Sequence, residues 1–106
     1  MTSKQQSPHY LDEAFSQQLD ELLKLFISKH KDYGKNNILD TGELGVAFRI
    51  NDKVKRLQNL LCSNRAPKNE NIDDTWLDIA VYAVIAILLR KGEFEALELS
   101  EKAKKQ

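Results

Sequence analysis

One cysteine, Cys62, stands in the 106 residues of this chain. A single thiol closes no intramolecular disulfide and supplies no zinc site built on several thiolates. A reducing compartment suits such a chain. The opening stretch MTSKQQSPHY lacks the apolar core of a signal peptide. The longest nearly uncharged run, Trp76–Leu89, has 14 residues, and a spanning helix needs about 20. The expectation is a cytoplasmic protein with no membrane segment. Charge of one sign is not in excess: 16 Lys+Arg balance 16 Asp+Glu. No global field draws nucleic acid or an anionic membrane, so no direct nucleic-acid binding is expected. Local patches stay open. None of the four glycines belongs to a phosphate-binding glycine loop, and no nucleophile elbow or zinc-type histidine motif occurs. His9 and His30 have no metal-ligand spacing to each other or to the acids.

What is present is a globular composition, 42% hydrophobic and 30% charged, with a length that suits one domain. Residues 1–9 read as a flexible arm, polar up to Pro8, and residues 10–106 as a single helical domain. From Tyr10 to Ser28, Leu11, Phe15, Leu19, Leu22, Leu23 and Phe26 fall at helical spacing. Lys29 to Thr41 reads as a loop, marked by Gly34, Asn36–Asn37 and Asp40. A second helix is expected from Gly42 to Cys62, capped by Asp40 or Thr41, with Val46, Ile50, Val54, Leu57 and Leu61 on its apolar face. Residues 64–71, with Pro67, form a turn. A third helix opens at Asn71, which can cap it; Asp73 and Asp74 suit its first turn. Arg90–Lys91 suit its end, and Gly92 stops it. A short helix from Glu93 carries Phe94 and Leu97 and then frays into KAKKQ. No stretch alternates with period two. The class is all-α, a bundle of about four helices.

The third helix carries WLDIAVYAVIAILL, in which Asp78 is the only charge. A helix apolar nearly all round is buried in a core or an interface. Four modest helices struggle to surround it, so a second subunit is expected to cover part: a homodimer or higher oligomer. An unpaired carboxylate in such a helix is costly. Asp78 therefore loses its charge, finds a partner such as Arg49 or Arg56, or binds a cation. Asp74 lies four residues earlier on the same face, and Asp52 on the second helix is the natural outside partner. Three acids suit a hard cation, Mg²⁺ or Mn²⁺. Arg49, Lys53 and Arg56 neighbour Asp52 and suit phosphate oxygens.

Each feature has a plainer reading. Asp74 also serves as a first-turn acid. Arg49, Asp52, Lys53 and Arg56 also fit a solvated face of paired charges. Tyr82 also fits the core, with its hydroxyl satisfied by a neighbour. In Lys31-Asp32-Tyr33-Gly34 the tyrosine can stack on a base and the glycine permits close backbone approach; a helix stop with a packed aromatic fits as well.

The segments HKDYG (30–34), GVAFRINDKVKRLQNL (45–60) and IDDTWLDIAVYAVIAI (72–87) together resemble the nucleotide modification associated domain of the first type. That is a small helical family of phages, bacteria and archaea. It is in turn similar to the MazG-type nucleoside triphosphate pyrophosphohydrolases. The resemblance covers about residues 28–90 and implies a MazG-like all-α bundle, dimeric or tetrameric, that cuts a triphosphate to monophosphate and pyrophosphate with Mg²⁺. The family's metal site pairs Glu-x-x-Glu on one helix with Glu-x-x-Asp on the next. Asp78 matches the last acid, with Tyr82 following at the usual spacing, and Asp52 matches the second acid of the first pair. Thr75 and Arg49 stand where glutamates belong, and Asp74 lies one residue before Thr75. The implied assignment makes Asp52 and Asp78 catalytic and Asp52, Asp74 and Asp78 metal ligands. Arg49, Lys53, Arg56, Tyr33, Lys31 and Tyr82 are then the nucleotide-binding residues. Two other functions stay open: a module that binds or senses nucleotides without cleaving them, and a phage accessory interaction protein.

Overall fold

The computed structural model describes residues 7–63 and 72–106. Among these described residues it holds six helical segments and no strand: α1 (Leu11–Tyr33), α2 (Asn36–Leu39), α3 (Gly42–Cys62), α4 (Ile72–Arg90), α5 (Glu93–Ala96) and α6 (Glu101–Lys104). The all-α expectation is met: three long helices carry the fold and three single turns join or finish it. The first six residues of the expected arm, the turn at 64–71 with Pro67, and the Asn71 cap lie outside the described residues.

α1 starts where the Glu13 carboxylate accepts the backbone N–H of His9 at 2.9 Å and of Tyr10 at 3.3 Å. Those donors have no partner inside the helix, so a side chain must satisfy them. The helix runs to Tyr33, well past Ser28, and the expected loop from Lys29 to Thr41 is a correction. KHKDY is polar but contains no breaker. Gly34 is the first residue that turns the chain, at φ 72°, with its N–H bonded to the His30 carbonyl at 2.8 Å. The rest of that stretch folds into α2, whose Ile38 is buried.

α3 keeps the expected bounds. Thr41 precedes it, yet its hydroxyl makes no cap bond. Its side chain lies instead against Gly45, where any Cβ would run into it. α4 ends at Arg90, and Gly92 follows in the left-handed region at φ 74°. That is the expected stop, since an L side chain pays strain there. The C-terminal residues do not simply fray. α6 forms because the Ser100 hydroxyl accepts the Ala103 N–H at 3.1 Å.

α3 and α4 run antiparallel, as three cross-contacts show: Glu43 with Arg90, Arg49 with Tyr82, and Lys53 with Asp78. Ile38, Val46, Val81, Ile85 and Phe94 form the core between α2, α3, α4 and α5. Each such aliphatic burial is worth about 1.5–3 kcal/mol. α1 packs on another side of α4. No described helix is long and apolar enough to cross a membrane.

Candidate functional site

Asp78 sits mid-way along the inward face of α4, with its side chain only 19% exposed. Lys53 reaches it from α3, with Nζ 3.0 Å from Oδ2. Lys29 reaches it from α1, with Nζ 3.8 Å from Oδ1. Of the three fates open to this carboxylate, it has found partners. They are lysines, where the sequence had offered Arg49 or Arg56 as examples. The pairing is geometrically direct: α3 presents Lys53 opposite Asp78 because the two helices are antiparallel.

Lys29 also forms part of the wall of a cavity of about 180 Å³. Its floor is apolar: Phe26, Ile38, Val81, Ile85 and Phe94. Its polar wall holds Lys29, His30, Tyr33, Asn37, Arg49 and Tyr82. Arg49 is held in place twice. Its Nη2 donates to the Asn37 carbonyl at 3.0 Å, and its guanidinium carbon lies 5.9 Å from the Tyr82 ring centre. Such a stacked arginine keeps its charge while its plane is fixed. His30 is gripped by two rings, Phe26 at 5.3 Å and Phe94 edge-on at 5.9 Å. Lys29 and Lys53 leave the Asp78 cluster with one net positive charge, and Arg49 adds another on the cavity wall. A ring-sized group fits inside, and an attached anion falls beside the cations.

The expected metal ligands do not converge. Asp52 is exposed on α3, one residue away from inward-facing Lys53. A single helical step turns a side chain by about 100°, which is enough to aim Asp52 elsewhere. Asp74 is exposed in the first turn of α4, whereas its neighbour Thr75 is buried at 3%. Asp74 therefore does not stand in for a carboxylate at position 75. Among the described residues no group of three or more His, Cys, Asp or Glu side chains is placed to hold a metal ion.

Of the expected nucleotide-binding residues, Arg49, Tyr33 and Tyr82 line the cavity, and Lys53 stands next to it on Asp78. Lys31 does not line it. Its Nζ donates to the Lys104 carbonyl at 3.0 Å and to Gln106, which ties the C-terminal segment to α1. Arg56 is exposed, has interactions of its own, and is not in the cavity wall. Lys29, His30 and Asn37 were not foreseen. The signal was present: once α1 is continued to Tyr33, Phe26 and His30 share one face at i,i+4, as do Lys29 and Tyr33.

No protein-family model matches the chain, and neither a curated protein nor a solved structure matches it.

Proposed function

We propose that this protein binds a nucleotide, with a base or sugar ring in the cavity and phosphate at Lys29, Arg49 and Lys53. One observation carries the reading: an aromatic cavity opens beside a carboxylate already held by two lysines. Tyr82, Tyr33 and His30 offer ring surfaces for stacking. The three cations offer phosphate contacts that need no metal. In the same reading the bundle is MazG-like, its setting is cytoplasmic, and its working form is a homo-oligomer. Binding without cleavage is the version favoured by Asp78, whose charge is committed to lysines.

Calorimetry with a panel of nucleotides in a chelating buffer tests this. Micromolar binding is expected without added metal. Arg49→Ala combined with Lys29→Ala removes contacts worth about 1.5–3 kcal/mol each, so affinity falls by roughly two orders of magnitude or more. No binding to any nucleotide, or binding indifferent to those substitutions, sinks the proposal.

A second reading is the Mg²⁺-dependent pyrophosphohydrolase, acting on a normal or modified nucleoside triphosphate. Positions 75 and 78 favour it, since both turn inward at i,i+3 on α4, where the resemblance puts Glu-x-x-Asp. Pyrophosphate release that requires Mg²⁺ or Mn²⁺ and vanishes in Asp78→Asn would establish it over simple binding.

A further inference from the structure

The polar groups at the cavity are stacked in two layers. Arg49 and Lys53 stand four residues apart on α3, Tyr82 and Asp78 four apart on α4, and Lys29 and Tyr33 four apart on α1. That spacing keeps both side chains on one face of each helix, about 6 Å apart along its axis. One layer is aromatic: Tyr82 with Arg49 stacked on it, and Tyr33 in the same wall. The other is ionic: Asp78 with Lys53 at 3.0 Å and Lys29 at 3.8 Å. Lys29 is beyond hydrogen-bond range of Asp78, so its N–H donors remain for a ligand. Arg49 spends one donor on the Asn37 carbonyl and keeps the rest of its fork. The ionic layer is one turn deep. The next inward positions beyond it, Leu57 on α3 and Thr75 on α4, are each 3% exposed and carry no charge. Other cations of these elements are engaged elsewhere: Lys31 with the Lys104 carbonyl, Lys35 with Glu98 and Arg90 with Glu43.

We infer that the site is built for one phosphate: its ligand is a nucleoside monophosphate, and a second or third phosphate finds no grip. This rests on the nucleotide-binding reading and names the substrate class within it. A single ribose separates a base from its first phosphate, just as one helical turn separates the aromatic layer from the ionic one. The charges match as well. Lys29, Lys53 and Arg49 set against Asp78 leave two net positive charges. A phosphate monoester carries about −1.5 to −2 at neutral pH. Each further phosphate adds negative charge that meets no free cation in the next turn, while Asp78 repels it. The triphosphate implied by the sequence resemblance is therefore the rival ligand.

Calorimetry of the full chain in a chelating buffer tests it. Adenosine, guanosine, cytidine and uridine are each compared with their 5′-mono-, di- and triphosphates, and with inorganic phosphate. In the series that binds, the monophosphate is expected to bind at least tenfold tighter than its nucleoside or than inorganic phosphate. The di- and triphosphate gain less than threefold over it. Lys29, whose side chain is 45% exposed, can be changed without opening the core. Lys29→Gln narrows the gap between monophosphate and nucleoside fivefold or more with the helical circular dichroism retained, while Lys55→Gln, exposed elsewhere on α3, leaves the gap as it is. Affinity that climbs threefold or more with the second or third phosphate overturns the inference and leaves nucleotide binding standing. So does a nucleoside within tenfold of its monophosphate, or a gap unmoved by Lys29→Gln. No binding by any member of the four series overturns the nucleotide reading itself, and this inference with it.

Discussion

The two sides of α4 differ in how they are finished. Toward α3 the helix meets complementary chemistry. Val81 and Ile85 are buried, and Asp78, Tyr82 and Arg90 each meet a named partner on α3. Toward α1 the contact is thinner: Lys29 reaches Asp78 at 3.8 Å, and half-exposed apolar side chains line an open groove. The same helix is thus closed by several specific pairs on one side and left mostly to open apolar surface, with one longer ion pair, on the other. Polar pairs fix a register, because a displaced charge has no substitute partner. Apolar strips tolerate many partners, and the largest gain goes to whichever covers most area.

Substitutions on the two sides should part sharply. On the closed side, Ile85→Ala leaves a cavity in the core and should cost about 3 kcal/mol by urea denaturation. Leu23→Ala on the open side should cost under about 0.5 kcal/mol when the monomer is measured at low concentration; equal losses would erase the distinction. Gly45→Ala comes next, at about 1–3 kcal/mol, because the new Cβ meets the Thr41 side chain. A double change to Gly45→Ala with Thr41→Gly should recover most of the steric part.

Lys53→Met should cost about 1–2 kcal/mol, since it leaves the half-buried Asp78 with Lys29 alone at 3.8 Å. Asp78→Asn is expected to weaken the fold by a similar amount yet tighten phosphate binding severalfold by freeing both lysines. A Mg²⁺-bound site predicts the opposite change in binding. The smallest effect belongs to an ion pair whose carboxylate is exposed. Lys35, hydrogen-bonded to Glu98 at 2.9 Å, holds that carboxyl below its usual range, through the hydrogen bond first and its charge second. A depressed carboxyl stabilises the fold above its unfolded value and loses that contribution as pH falls through its folded value. Glu98→Gln should therefore differ slightly from wild type in melting temperature at neutral pH and converge with it in acid.

Much of the fold was legible. The apolar periodicity of residues 42–62 and the glycine at 92 located α3 and the end of α4 closely. The end of α1 was misread because KHKDY is polar, and polarity says only that a stretch is wetted, not that it is unwound. That error hid Lys29 and His30 from the candidate site. Arg49, Lys53, Tyr33, Tyr82 and Asp78 were legible as chemistry-bearing residues. Asp52 and Asp74 are exposed and are not grouped with Asp78 as a trio, because sequence spacing measures position along a helix, while convergence depends on the angle each side chain takes toward its neighbour.

By itself the sequence determined that this chain is helical, that one helix is apolar nearly all round over Trp76–Leu89, and that the single acid of that stretch, Asp78, must be answered. Helical pattern is local, and its period follows from 3.6 residues per turn. Only the tertiary structure decided which groups answer Asp78, and that three carboxylates do not meet. It also decided which side of α4 stays open. Those outcomes depend on how rigid helices dock, a choice made by area and register between segments dozens of residues apart.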